Sequence, residues 1–243
     1  YKSVIDDVFE VSGTKIAEAA KLTENIFRSV NIALVNELKI VFDAMGIDVW
    51  EVIRAASSKP FGYMPFFPGP GLGGHCIPVD PFYLTYKSKE FNLQTKFIEL
   101  AAEINTFMPE YVLKKTNDAL NVYKKKSING SNILIIGLAY KKDIGDMRES
   151  PTLPIMRSLI NQGAKIKYHD KFIPQIPDSR HYGFLEGLKS VPINKQNLSK
   201  ADAVIIITDH SYINYDLVSR YASLIIDTRN IMSGRSVNNV VKS

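Results

Sequence analysis

The chain of 243 residues holds one cysteine, Cys76. That excludes a disulfide scaffold and a Cys-rich zinc site, and it fits a reducing, cytoplasmic setting. No run approaches the ~18 apolar residues of a membrane span, so no membrane partner is expected. The start, Tyr1-Lys2-Ser3-Val4, has no initiator Met and no signal-peptide pattern. It reads as the interior of a longer protein. Repeats and low-complexity tracts are lacking. Charge of one sign is also scarce: the net charge is +5. Residues 1–126 hold 15 Lys/Arg and 15 Asp/Glu, and residues 127–243 hold 15 and 10, so the excess sits in the second half. No basic stripe is interleaved with aromatics, so no nucleic-acid partner is expected. The Lys124-Lys125-Lys126 run reads as a solvated helix end.

What is present is a globular chain, with 45% hydrophobic and 23% charged residues. The expected fold is α/β, a helical part over 1–126 followed by a Rossmann-like parallel-sheet part over 127–243. From Ile16 the apolar residues Ala19/Ala20, Ile26/Phe27, Val30, Leu34, Leu38, Val41/Phe42 and Met45 recur at the 3.6-residue period of one long helix. Thr14 is its expected N-cap, Gly46 its stop, and Asp48 the cap of a short second helix. A helix this long is expected to cross a dimer or domain interface. Residues 58–81 then hold 6 of the 12 prolines and 5 of the 14 glycines. This segment is neither helix nor central strand, and its aromatics argue against disorder. Helical pattern resumes over 81–88 and 95–126. Beyond the Lys/Asn/Gly/Ser stretch at 124–131, short apolar runs at 132–137, 165–169, 203–208 and 224–227 alternate with helical stretches, the signature of parallel βαβ units.

Three segments carry candidate chemistry. In Gly69-Pro-Gly-Leu-Gly-Gly-His-Cys-Ile-Pro-Val-Asp80, glycines bring backbone close to a ligand, and a thiolate in such a loop can act as a nucleophile. Asp80 falls in the first turn of a helix starting there, placed to hold a water or act as a base. The plain alternative is a small buried core cysteine. His75, adjacent to Cys76, diverges from it and makes a poor base. No further spaced ligands exist, so no metal is expected. A papain-like hydrolase would need a distant His, but nothing marks His169, His181 or His210, each better read as a satisfied histidine. The second segment places Lys21, Asn25 and Arg28 at i, i+4 and i+7 on one helix face, either a polar site or a solvated face. The third, Gly137 to Pro151, follows the first strand, where parallel sheets bind ligands. It lacks G-x-G-x-x-G, so it offers no standard dinucleotide cradle, yet it supplies Lys141, Lys142 and Arg148. Arg229, after the fourth strand, lies on the same edge.

Together these segments resemble the nucleotide-sugar 6-dehydrogenase family over nearly the whole chain, as a central helical domain plus a carboxyl-terminal sugar-nucleotide domain. Gly-Gly-His-Cys-Ile-Pro-Val-Asp resembles the branch acting on UDP-N-acetylhexosamines (UDP-GlcNAc or UDP-ManNAc). The UDP-glucose branch typically has Ser where this chain has His75. The resemblance implies NAD-dependent four-electron oxidation of a sugar C6 alcohol to a carboxylate for surface polysaccharide synthesis. It implies a Cys76 thiohemiacetal and thioester, with Lys21 and Asn25 stabilising oxyanions and Asp80 orienting the hydrolytic water. Arg28, Gly73, Tyr140, Lys141, Arg148 and Arg229 would hold the sugar nucleotide, Tyr140 beside uracil, and Arg148 would also reach NAD. A homodimer through the long helix is implied as well. Family members carry an amino-terminal NAD domain that this chain does not resemble anywhere. The chain is therefore expected to be a fragment that does not reduce NAD alone; the alternative is a non-catalytic UDP-sugar-binding and dimerisation module.

Overall fold

The computed structural model describes residues 4–178, 182–235 and 239–243; His181 lies outside them. Helix α1 (Thr14–Ala44) runs 31 residues. Its N-cap is Gly13 rather than Thr14, which is already helical, and no side chain caps it. Met45 ends the helix and Gly46 follows with φ +72°, the left-handed turn glycine adopts freely. Asp48 caps α2 (Val49–Ala56) by accepting from the Trp50 N–H at 3.0 Å. The Pro/Gly-rich segment is irregular but anchored. Phe66 packs edge-on to Phe27 and Phe67 stacks on Trp50, both with centroids 5.6 Å apart. Helix α3 (Asp80–Ser88) carries Pro81 in its first turn, where a missing N–H costs nothing. Helix α4 (Lys96–Ala119) continues as a π-turn through Lys124. Among the described residues no helix is long and apolar enough to cross a membrane.

Helix α1 packs along α4 through an unusual stripe. The buried residues Asn25, Ser29, Ala33 and Asn36 follow helical spacing but are small or polar. The larger residues Phe27, Leu34 and Val41, seven apart, stay exposed on another face with Met45.

The remainder alternates strand and helix: β1 (Asn132–Ile136), α5 (Thr152–Asn161), β2 (Lys165–His169), α6 (Lys195–Lys200), β3 (Ala203–Ile206), α7 (Tyr215–Tyr221), β4 (Ile225–Asp227) and β5 (Val240–Lys242). All pair in parallel in the order β2-β1-β3-β4-β5. β1 is buried on both faces: Ile133 and Ile135 join the core with α5, Leu134 and Ile136 the core with α6 and α7. The order reverses between β1 and β3, the switch point at which such sheets place ligands. Polar groups tie the sheet to α1. Buried Lys39 reaches Asp43 at 3.1 Å and the Lys242 carbonyl at 3.2 Å, and Lys242 pairs with Asp48. Asp43 also accepts from Tyr111 and Lys115, both at 2.7 Å.

Candidate active site

The Cys76 loop ends in a turn in which the Cys76 carbonyl accepts from the Asp80 N–H at 2.8 Å and the Val79 N–H at 3.2 Å. This fixes the cysteine one turn ahead of α3. Cys76 is exposed, so the reading as a buried core residue fails. Asp80 faces α1, where Asn25, only 1% exposed, donates Nδ2 to its carboxylate at 2.7 Å. Arg28 donates to the Asn25 amide oxygen at 3.3 Å and to Glu24 at 3.1 Å. Lys21 stands one turn earlier, exposed, 3.6 Å from the same Glu24. Asn25, Asp80 and Cys76 are thus linked directly; Lys21 joins them at one remove, through Glu24 and Arg28.

The loop also meets the sheet. The Gly74 N–H donates to the Arg148 carbonyl at 3.1 Å. A Cβ on Gly73 would lie 2.5 Å from the Tyr140 Cβ and 3.0 Å from the Glu149 carbonyl, so only glycine permits this approach. A Cβ on Gly69 would lie 2.7 Å from an Arg229 guanidinium nitrogen. Arg229 donates Nε to the Ile207 carbonyl at 2.8 Å, and burial pulls its pKa below the ordinary value. Tyr140, Arg148 and Arg229 therefore gather on the Gly-rich loop. Lys141 follows Tyr140, exposed. Arg148 is clamped to Asp146 by contacts at 2.6–3.1 Å, and this guanidinium holds the Asp146 carboxyl at about 2.

NAD would need a row of free backbone amides after a strand, and the turn after β1 does not provide one. Its first two amides, Leu138 and Ala139, donate to the Asp170 carboxylate at 2.8 and 3.0 Å. A protein carboxylate sits where a phosphate would. A Cβ on Gly137 would collide with Thr208 at 2.5 Å, so no ligand approaches that glycine either. The residues of this turn do not fit a dinucleotide.

Two buried asparagines position the loop without any sequence signal marking them. Asn36 accepts from the Gly69 N–H and donates to Asn105, both at 2.9 Å, and Asn105 donates to the Ser29 carbonyl at 3.1 Å. A cavity of about 370 Å³ lies between this loop, α4 and α5. It is lined by Gly71, Asn105 and Pro151 but by none of the anticipated ligand-binding cations, so it is not the candidate site.

Residues 15–107 match the central domain of the UDP-glucose/GDP-mannose dehydrogenase family, and residues 134–234 match its UDP-binding domain. The chain belongs to the UDP-glucose/GDP-mannose dehydrogenase family. Within it, the chain is 35% identical over 227 residues to an NDP-N-acetyl-D-galactosaminuronic acid dehydrogenase of Ralstonia solanacearum, covering 93% of this chain and 50% of that protein. It is 35% identical over 211 residues to a UDP-N-acetyl-D-glucosamine 6-dehydrogenase of Salmonella typhi, covering 86% and 48%. A solved UDP-D-ManNAc dehydrogenase from Pyrococcus horikoshii superposes with a TM-score of 0.82 at 30% identity, covering 98% of this chain and 54% of that one. The chain spans about half the length of the curated relatives it matches. The family match over the two segments agrees with the fold and the UDP-sugar dehydrogenase class expected from the motifs.

Proposed function

We propose that this chain carries the sugar-nucleotide site and the thiol nucleophile of an NAD-dependent UDP-N-acetylhexosamine 6-dehydrogenase. The observation that carries the reading is the seam between the Cys76 loop and the sheet edge. Gly73 against Tyr140, Gly74 on the Arg148 carbonyl and Gly69 against Arg229 put a stacking ring, a guanidinium and the backbone of a second arginine against the loop that carries the one cysteine. A ligand held by its diphosphate on those cations extends its sugar toward Cys76. Gly73 supports the nucleotide end by giving the loop its close approach to Tyr140, with Lys141 adding charge. Arg28 completes the polar rim.

At the sugar end the residues divide the work. The Cys76 thiolate adds to an aldehyde at C6 and later leaves an acyl carbon readily. Lys21 and the Asn25 amide offer donors to oxygen charge at C6. Asp80, already oriented by Asn25, orients the hydrolytic water. The hydride acceptor in this reading is NAD, which these residues do not cradle; only Arg148, at the exposed edge, is assigned contact with it. The chain alone is therefore expected to bind substrate without oxidising it. The same reading assigns residues 1–126 to dimerisation and the Cys76 loop, and 127–243 to UDP-sugar binding. The exposed Phe27, Leu34 and Val41 row supports a homodimer through α1. The reaction is placed in the cytoplasm, supplying uronates for surface polysaccharide.

The single cysteine makes a direct test available. Alkylation of Cys76 by iodoacetamide, followed by mass spectrometry, should slow when UDP-GlcNAc or UDP-ManNAc is added, and slow less with UDP. Equal rates with and without both sugar nucleotides would remove Cys76 from the site.

A further inference from the structure

The carboxyl ends of β2, β1 and β3 hold a buried ion-lined junction that the proposed chemistry does not use. Asp170 and His210 are both fully buried. Asp170 Oδ2 accepts from Leu138 N–H, Ala139 N–H and His210 Nε2, the last at 3.1 Å, and Oδ1 accepts from Phe172 N–H at 2.9 Å. His210 Nδ1 accepts from the Asp143 N–H at 3.0 Å. That bond leaves the proton on Nε2, so the imidazole is a two-ended bridge, donor to Asp170 and acceptor from Asp143. Asp143 has φ +60°, and its carboxylate takes Ser211 N–H at 2.8 Å and Ser211 Oγ at 2.7 Å. Thr208 Oγ1 donates to the Ala139 carbonyl at 2.6 Å. The bonds to Leu138, Ala139 and Asp143 pin the segment between Gly137 and Arg148 to the ends of β2 and β3, and the His210–Asp170 bond joins the two anchors.

We infer that Asp170 and His210 are positioning residues for nucleotide binding: they fix the segment carrying Tyr140, Lys141 and Arg148 without touching the ligand. This rests on the reading that the segment holds the UDP moiety. Asp170 anchors the segment at 138–139, immediately before Tyr140, and His210 anchors it at 143, immediately after Lys141 and Lys142. Tyr140 and Lys141 are therefore spanned by two anchors joined through one imidazole–carboxylate bond. Losing Asp170 leaves the buried Leu138 and Ala139 N–H donors unmatched, losing His210 leaves the half-buried Asp143 N–H unmatched, and the segment recovers partners only by moving toward water. The Tyr140 ring then leaves the Gly73–Gly74 backbone.

The test uses the 243-residue chain and two readouts. UDP affinity by calorimetry is measured alongside amide hydrogen exchange at Leu138, Ala139 and Asp143. His210→Phe keeps a ring beside Phe172 and Tyr212 but removes both bonds. It should weaken UDP about tenfold or more and lower protection at Asp143 and Ala139. His210→Gln, which has one donor and one acceptor, should recover much of both. Val218→Ala, on the buried face of α7, serves as a destabilised control and should leave UDP affinity unchanged and lower protection at the three amides by no more than its global loss of stability. Unchanged affinity and protection in His210→Phe would overturn the inference, as would an equal loss of affinity in Val218→Ala. If the parent chain fails to bind UDP, the nucleotide reading falls. The anchoring role is then decided by exchange alone: lost protection in His210→Phe supports it, and retained protection overturns it.

Discussion

The proposed sugar end and the proposed nucleotide end of the site are built in opposite ways. Cys76 and Lys21 stand exposed, and Lys21 lies 3.6 Å from Glu24, itself exposed. Asp170 and His210, on the far side of the same seam, are fully buried, and Asp170 accepts four hydrogen bonds. The Cys76 end is open, and the Asp170–His210 end is sealed. Substitution should therefore separate stability from reactivity along this seam.

The largest effect should come from Asp170→Asn. Burial favours the protonated carboxyl, but the bonds from His210, Ala139 and Leu138 outweigh it and hold the pKa below the ordinary value. Putting an amide N–H where a carboxylate oxygen accepted leaves buried donors unmatched at about 1–3 kcal/mol each, read from urea unfolding at neutral pH. A loss under 1 kcal/mol would show that the sealed end is not a frame.

Gly73→Ala should come next. It forces a methyl into the Tyr140 Cβ at 2.5 Å. Overpacking of this sort costs about 1–3 kcal/mol, and the same change should weaken UDP because the two loops must part. Asn36→Leu should cost a similar ~1–3 kcal/mol by orphaning the Gly69 N–H and the Asn105 amide. Unlike Gly73→Ala, it should alter Cys76 alkylation more than UDP affinity, since its bonds hold the start of the Cys76 loop.

Much of this was legible in the residues. The 3.6-period of residues 16–45 gave α1, and the apolar runs gave β1 to β4 within a few residues. Asp80 at a helix start and Asn25 one turn beyond Lys21 were readable from spacing, because both rest on local periodicity. β5 was not anticipated: three residues carry no usable pattern. α6 and α7 are also too short for one, although Asn194 and Asn214 cap them. Thr14 was misread as a cap because Thr is a common capping residue, whereas the helix starts after a glycine with no side-chain bond. Asn36, Asn105 and Asp170 are buried polar residues whose partners lie far away in sequence. His210 was expected to be satisfied, and it is, but its partners at 143 and 170 are set by sheet order alone.

Between these extremes lies Asp43, which joins α1 to α4. Burial works against its charge, but Lys115, Tyr111 and Lys39 outweigh that and hold it at about 2, against 3.8 for a free group. A depressed folded value stabilises above the unfolded pKa and is lost as pH falls through the folded one. Stability should therefore drop between about pH 4 and pH 2, and Asp43→Asn should flatten that drop in acid-titration melts. The smallest effect belongs to the open end. Cys76→Ser should change unfolding stability by under about 0.5 kcal/mol, since the side chain is exposed.

The central claim is that this chain alone presents a charged nucleotide site at the seam between the Cys76 loop and the sheet. Calorimetric titration of the 243-residue chain with UDP, at low and then raised salt, tests it most directly. Arg148, Lys141 and Arg229 meeting a diphosphate predict measurable binding at low salt that weakens steadily as salt rises. No binding at low salt, or an affinity indifferent to salt, would contradict it.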